Sequence, residues 1–160
     1  MWVNQMWKIY IVTWVSWAWK TTIKNYFDDE YFDELNIYDF DDIWVPEGAD
    51  EKWRKESTKY WIDRLRKDQL KWVDSILFWQ IVPVEIEWIK DDIIFIFLDA
   101  SWDSIKLRLQ KREWDDSVIQ DHKNWINHIK ESVLHNNWLI VSTDINIQDS
   151  AKEIYNIINH

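Results

Sequence analysis

Lys8 to Thr22 reads KIYIVTWVSWAWKTT, and the fold turns on how this stretch is read. Its first part, Lys8 to Thr13, is β-branched and aromatic, the composition of a buried strand. The rest runs through Trp14, Trp17 and Trp19 into Lys20-Thr21-Thr22 and a helix-like stretch from Thr22 to Leu35. A chain turning from strand to helix calls for glycine at such places, because glycine alone adopts positive φ without steric cost. The anomaly extends along the whole molecule. Among 160 residues there are 15 Trp and 1 Gly, Gly48, where average usage of about 7% gives roughly eleven glycines. Trp44 precedes Val45-Pro46, Trp79 follows the run Ser75 to Phe78, and Trp138 stands between Asn136-Asn137 and an apolar run. These are punctuation sites rather than helix or strand faces. The reading adopted is that much of this tryptophan is glycine misread in translation, a UGA codon that means glycine rendered as Trp. The alternative is a chain truly rich in tryptophan.

With glycine at the three positions, residues 14 to 22 become GVSGAGKTT, which satisfies G-x-x-x-x-G-K-[ST] between a strand and a helix. Glycines let the backbone curl so that successive N–H groups point at phosphate oxygens, and the following helix adds its positive end. The nucleotide-binding set is then Trp14, Val15, Ser16, Trp17, Ala18, Trp19, Lys20, Thr21 and Thr22. Lys20 is expected to reach the β- and γ-phosphates, and the Thr21 hydroxyl to bind Mg²⁺. With indoles retained, the nest is filled and phosphate binding is expected to fail. An apolar strand leading into an ordinary Lys-Thr-Thr helix start is the plain structural reading of the same residues.

The remaining composition narrows the class. A mass of 19.9 kDa fits one compact domain, taken as 1–160. With 19 Lys+Arg against 29 Asp+Glu, the net charge is −10 and the pI about 4.8, which disfavours nucleic acid and anionic lipid as partners. No run reaches the roughly 18 to 20 apolar residues of a membrane span, and no signal-peptide pattern leads the chain. A soluble, cytoplasmic protein is expected. The absence of Cys excludes disulfides and thiolate metal sites and fits a reducing compartment.

Beyond the opening stretch, strands are expected at Asn36 to Phe40, Ser75 to Phe78, Asp92 to Leu98 and Leu139 to Ser142. Val84 to Trp88 is ambiguous. Helices are expected over Glu51 to Gln69, from a Ser101 cap through Arg112, over Val118 to Asn136 and over Asp149 to Ile158. Trp44 to Asp50 reads as loop, broken by Pro46 and Gly48. The alternation implies an α/β fold, three-layered, with a five-stranded mainly parallel sheet.

On the motif at Trp14, Ser16, Trp17, Trp19, Lys20, Thr21 and Thr22, the chain resembles the P-loop NTPase superfamily, and within it small-molecule kinases of the nucleoside, shikimate and gluconate type. The acidic cluster Asp39 to Asp42, Leu107-Arg108 to Arg112 and Thr143-Asp144 stand where those kinases place comparable features. Asp39 to Pro46, Trp53 to Trp61 and Phe78-Trp79-Gln80 are also similar to P-loop proteins known only as ATPase- or kinase-like. The resemblance implies an ATP-dependent phosphotransferase with ATP and Mg²⁺ as cofactors and a small hydroxyl-bearing metabolite as acceptor. The third strand lacks the acid of an ordinary Walker B.

Physical chemistry assigns roles beside the resemblance. Phosphoryl transfer needs charge neutralisation, a placed metal and an oriented nucleophile. An acid at the carboxyl end of a parallel strand faces the crevice where ligands bind. One of Asp39 or Asp41 is assigned as substrate orienter or general base and the other as an aid to Mg²⁺ through water; a solvated acidic loop is the plain alternative. Arg108 and Arg112, four residues apart, share a helix face and suit phosphate clamping, against salt bridging to Asp103, Asp115 or Asp116. Asp99 reads as structural or capping rather than as a Walker B acid. Gln80 is a candidate for a substrate hydrogen bond. His122, His128, His135 and His160 have no metal spacing, and Trp53, Trp61 and Trp125 are expected as core aromatics. Two rivals remain: a P-loop ATPase or nucleotide switch with a macromolecular partner, and a degenerate scaffold that binds no nucleotide if the tryptophans are real.

Overall fold

The computed structural model describes residues 8–14, 17–31, 33–43, 45–81, 83–89, 93–144 and 146–159, with backbone alone at 17–21 and 41. In chain order these form β1 (Ile9–Trp14), α1 (Trp17–Glu30), β2 (Asn36–Asp39), a 3₁₀ turn (Phe40–Asp42) and α2 (Glu51–Leu70). There follow β3 (Ser75–Phe78), a second 3₁₀ turn (Pro83–Ile86), β4 (Ile93–Asp99), α3 (Trp102–Lys111), α4 (Asp116–His135), β5 (Leu139–Ser142) and α5 (Ile147–Ile158).

The five strands make one sheet in the order β2-β3-β1-β4-β5, and every pairing is parallel. β1 lies at the centre, with Ile9 opposite both Ser75 and Ile93, and all six of its residues are buried. A parallel strand covered on both faces must be apolar throughout, and the run IYIVTW meets that demand. Alternate residues serve opposite layers. Tyr10, Val12, Ile76, Phe78, Ile96 and Leu98 pack with Ile23 and Phe27 of α1 and Ile154 of α5. Ile9, Ile11 and Leu77 meet Trp61 and Leu65 of α2, while Phe97 meets α3 and α4 through Ile105, Ile126 and Val133. The result is the three-layer α/β architecture that the alternating pattern implies.

Helix ends follow local chemistry. Asp50 accepts the Trp53 N–H at 2.9 Å, Ser101 the Ser104 N–H at 3.3 Å and Asn146 the Asp149 N–H at 2.8 Å, each satisfying a free donor of the first turn. At the other ends, α2, α3 and α4 close with the same paired bonds. Trp72 N–H reaches Gln69 O and Val73 N–H reaches Asp68 O; Glu113 and Trp114 bond Gln110 and Leu109, and Asn137 and Trp138 bond Leu134 and Val133. This motif needs a left-handed residue just past the cap, and Trp72, Glu113 and Asn137 have φ of 63°, 60° and 56°.

Two expectations change. The helix expected from Thr22 begins at Trp17. Trp and Ala tolerate helical backbone far better than glycine does, so the chain bearing indoles at 17 and 19 carries the helix back across the motif. Trp125 is 40% exposed rather than core, because it lies on the outer face of α4, whereas Trp61 is 5% exposed and Trp53 half-buried.

Candidate nucleotide and acceptor site

β1 ends at Trp14 and α1 begins at Trp17, so the motif lies at the carboxyl end of the central strand. The flanking strands β3 and β4 leave that edge over the α2, α3 and α4 layer, while α1 leaves over the other. Strand ends whose connections diverge in this way open a crevice. α1 carries no acidic residue in its first turn, whereas α2, α3, α4 and α5 begin with Glu51, Asp103, Asp116 and Asp149. Its positive end is thus unneutralised by its own side chains.

Trp14 is 7% exposed and packs in the core with Tyr10, Val12 and Ile23. Val15 and Ser16 lie outside the described residues, as do the side chains of Trp17, Ala18, Trp19, Lys20 and Thr21; Thr22 is exposed on α1. The backbone at 17–21 is helical. A phosphate nest needs those N–H groups turned out of the helix, so the indole-bearing chain does not fit a triphosphate.

Around the crevice the acidic side is partly assembled. Asp39 ends β2 at 8% exposure, and its N–H donates to Asp42 Oδ2 at 3.1 Å. The Asp41 side chain lies outside the described residues. Behind Asp39, Phe40 stacks on Trp79 at 4.7 Å and meets Trp53 edge-on at 6.1 Å, joining the β2 and β3 ends to α2. Arg54 of α2 donates to Gln80 O at 3.2 Å and pairs with Glu85 at 3.2 Å.

On the opposite rim, Asp144 follows β5 and receives the Ser101 N–H at 2.9 Å and Ser101 Oγ at 3.4 Å. Burial pushes its carboxyl up, but bonds from Ser104 and Ser101 and the nearby Arg108 outweigh this and hold it below the usual carboxylate range. Burial pulls the half-buried Arg108 guanidinium down to about 10, with Asp144 opposing. Arg112 is exposed and caps α3 rather than continuing it, so the two arginines differ in environment despite their spacing. The acid whose charge acts on Arg108 is Asp144, one the spacing argument did not weigh. Asp99, at the end of β4, pairs with Lys130 Nζ of α4 at 2.7 Å, as its structural reading expects.

Solved structures of the same architecture include a gluconokinase from Sinorhizobium meliloti 1021, with TM-score 0.59 and 12% identity over 98% of this chain and 94% of that one. The fold is that of the P-loop kinases. A tunicamycin resistance protein from Deinococcus radiodurans matches with TM-score 0.59 at 10% identity, over 95% of this chain and 96% of that one. A thymidylate kinase from Ehrlichia chaffeensis matches with TM-score 0.50 at 10% identity, over 94% and 98%. At such identities the likeness is one of architecture. No family model and no curated protein matches the sequence.

The P-loop kinase fold accounts for where the candidate residues fall: the motif, Asp39, Gln80, Arg108 and Asp144 all follow or border the carboxyl ends of parallel strands. Sequence reasoning missed Thr13, Arg54 and Lys130, whose roles depend on partners 68, 26 and 30 residues away. No local signal marks them. An open groove of about 630 Å³ lined by Pro83, Ile86, Phe95, Trp138 and Leu139 lies by the amino ends of β4 and β5, away from this crevice. Among the described residues no helix is long and apolar enough to cross a membrane.

Proposed function

We propose that the protein is an ATP-dependent phosphotransferase acting on a small hydroxyl-bearing metabolite, competent in the form that carries glycine at positions 14, 17 and 19. The observation that carries this reading is the place of residues 14 to 22, joining the central parallel strand to α1 with the full G-x-x-x-x-G-K-T-T spacing. Trp72 supports the glycine reading independently. It holds φ of 63° with 71% of its surface exposed, at the helix-end position that glycine fills most often. An indole there gains little burial and bears the cost of left-handed backbone.

In this reading Mg-ATP supplies the transferable phosphoryl group and the neutralising metal charge. Lys20 and the backbone of 14–19 hold the phosphates, Thr21 supplies a hydroxyl to Mg²⁺, and Arg108 and Arg112 bring positive charge from α3. Asp39 or Asp41 would take the proton of the acceptor hydroxyl, the acceptor oxygen bonding to the γ-phosphorus while the bond from phosphorus to the bridging oxygen breaks and ADP leaves.

Peptide mass spectrometry of the protein from its own source, over Ile9 to Lys20, tests the premise. Glycine masses at 14, 17 and 19, with thermal protection by Mg-ATP, are the expected result. Tryptophan masses there overturn the proposal. They favour instead a scaffold without nucleotide, a second reading supported by the burial of Trp14 in the core and by the helical backbone at 17–21.

A further inference from the structure

The connections from β1 to β2, from β2 to β3 and from β4 to β5 carry the helices α1, α2, and α3 with α4. The connection from β3 to β4 holds, among the described residues, only the 3₁₀ turn Pro83–Ile86. Crossover helices are what cover the faces of a parallel sheet, and a crossover without one leaves its mark on β4. Ile93, Ile94 and Phe95 at its start are half-buried, whereas Ile96, Phe97 and Leu98 are buried. The open groove of about 630 Å³ lies over that amino half. Ile86 and Ile89 line it from the crossover, and residues 136–139, joining α4 to β5, line it from the other side. Trp138 is half-buried there and stacks on Phe95, with ring centroids 4.6 Å apart and planes 11° from parallel.

The charges at this groove have one sign. Glu87 is the charged residue of the described lining, and it is exposed. From Glu85 to Asp92 the crossover reads EIEWIKDD, four acidic residues against one lysine. Asn136 and Asn137 directly follow α4, so the groove also meets the carboxyl end of a 20-residue helix, where the macrodipole is negative. Aromatic ring faces attract an ammonium group, and a carboxylate beside them adds to that attraction. A volume of about 630 Å³ falls within the range of roughly 300–1,000 Å³ found for small-molecule sites.

We propose that the groove binds a small organic cation, its apolar body laid on Phe95 and Trp138 and its ammonium group drawn to Glu87 and the carboxyl end of α4. A second copy of this chain is the poorer occupant, because each copy carries a net charge of −10 and would bring acid against acid at the groove. Binding here makes and breaks no covalent bond. The inference stands apart from the phosphotransferase reading, since the groove shares no residue with the 14–22 motif.

The test uses the full chain carrying Trp138, at neutral pH and low salt. Phenylbutylamine, phenylbutanol and phenylbutyrate share one apolar body and differ in charge. Each is titrated while ¹⁵N spectra follow the Trp138 indole N–H and the Asn137 side-chain amide. The amine is expected to shift both signals and to bind at least about threefold more tightly than the alcohol, a margin that an exposed charge pair supplies. Phenylbutyrate is expected to bind more weakly than the alcohol, and added salt to narrow the amine's advantage. In Glu87→Gln, a change at an exposed position, that advantage is expected to vanish while the alcohol binds as before. Equal binding of the three probes, an advantage that survives in Glu87→Gln, or no shift at these two signals each overturns the inference. Broadening of the same signals as protein concentration rises, without probe, also overturns it and assigns the groove to a second copy.

Discussion

Asp144, the second residue beyond β5, accepts the Ser101 N–H at 2.9 Å across 43 residues of chain and so ties the β5 end to the N-terminus of α3. Thr143 reinforces the tie, because its N–H and Oγ1 both donate to Asp99 O, at 2.7 and 2.9 Å. The bonds that hold Asp144 favour its charged form. A carboxyl held low in the folded state contributes stability that is full above the ordinary carboxylate range and is lost as pH falls through the folded value. Asp144→Asn is expected to lower Tm at pH 7, with the deficit shrinking as the pH is stepped down toward 3. A deficit that stays constant with pH would show that the carboxylate charge contributes nothing.

Trp72 stands in left-handed backbone, a conformation that costs a side chain roughly 1–2 kcal/mol and glycine almost none. Against this, glycine raises unfolded-chain entropy by about 0.4–1 kcal/mol. Trp72→Gly is expected to be more stable than Trp72→Ala by about 1 kcal/mol in urea unfolding. Equal midpoints for the two would remove this support for glycine at the position.

Asp68 is 5% exposed and accepts bonds from the Tyr38 hydroxyl and from Ser75 Oγ at 3.2 Å. Burial pushes the Tyr38 phenol up, and its bond to Asp68 adds to the shift. Tyr38→Phe leaves a buried carboxylate short of a donor, at an expected cost of about 1–3 kcal/mol. Denaturant titration reads the loss, and Ser75→Ala is expected to add to it less than in proportion because both act on one acceptor.

Phe27 of α1 is wholly buried and meets Phe78 edge-on at 6.1 Å. Its replacement by Ala is expected to cost about 3–5 kcal/mol through lost burial and the cavity left behind. Trp125→Ala on the outer face of α4, where the ring touches His122, is expected to cost only about 0.5–1 kcal/mol. Comparable losses at the two sites would mean that the α1 layer is less tightly packed than described.

Strand identity and order of elements were legible because each β-run is short, apolar and bounded by polar or turn residues. Ser75 to Phe78 and Leu139 to Ser142 lie where the pattern puts them. The helix start at Ser101 was legible because its side chain bonds its own first turn, whereas α5 begins at Ile147 behind an Asn146 cap, two residues before the expected Asp149. The start of α1 was misjudged because propensity across Trp17 to Trp19 favours helix once the glycines are gone.

The sequence by itself determined the α/β class, the position of the phosphate-loop motif between strand and helix, and the conflict between that motif and its indoles, since all three depend on residues adjacent in the chain. Only the tertiary structure decided that every strand pair is parallel, that β1 is central, that the Asp144 charge acts on Arg108, and that Thr13 clamps the segment after β3 through Ile81. Those relations join residues from 36 to 84 apart, and no local propensity encodes which distant group will meet a buried hydroxyl or guanidinium once the layers pack.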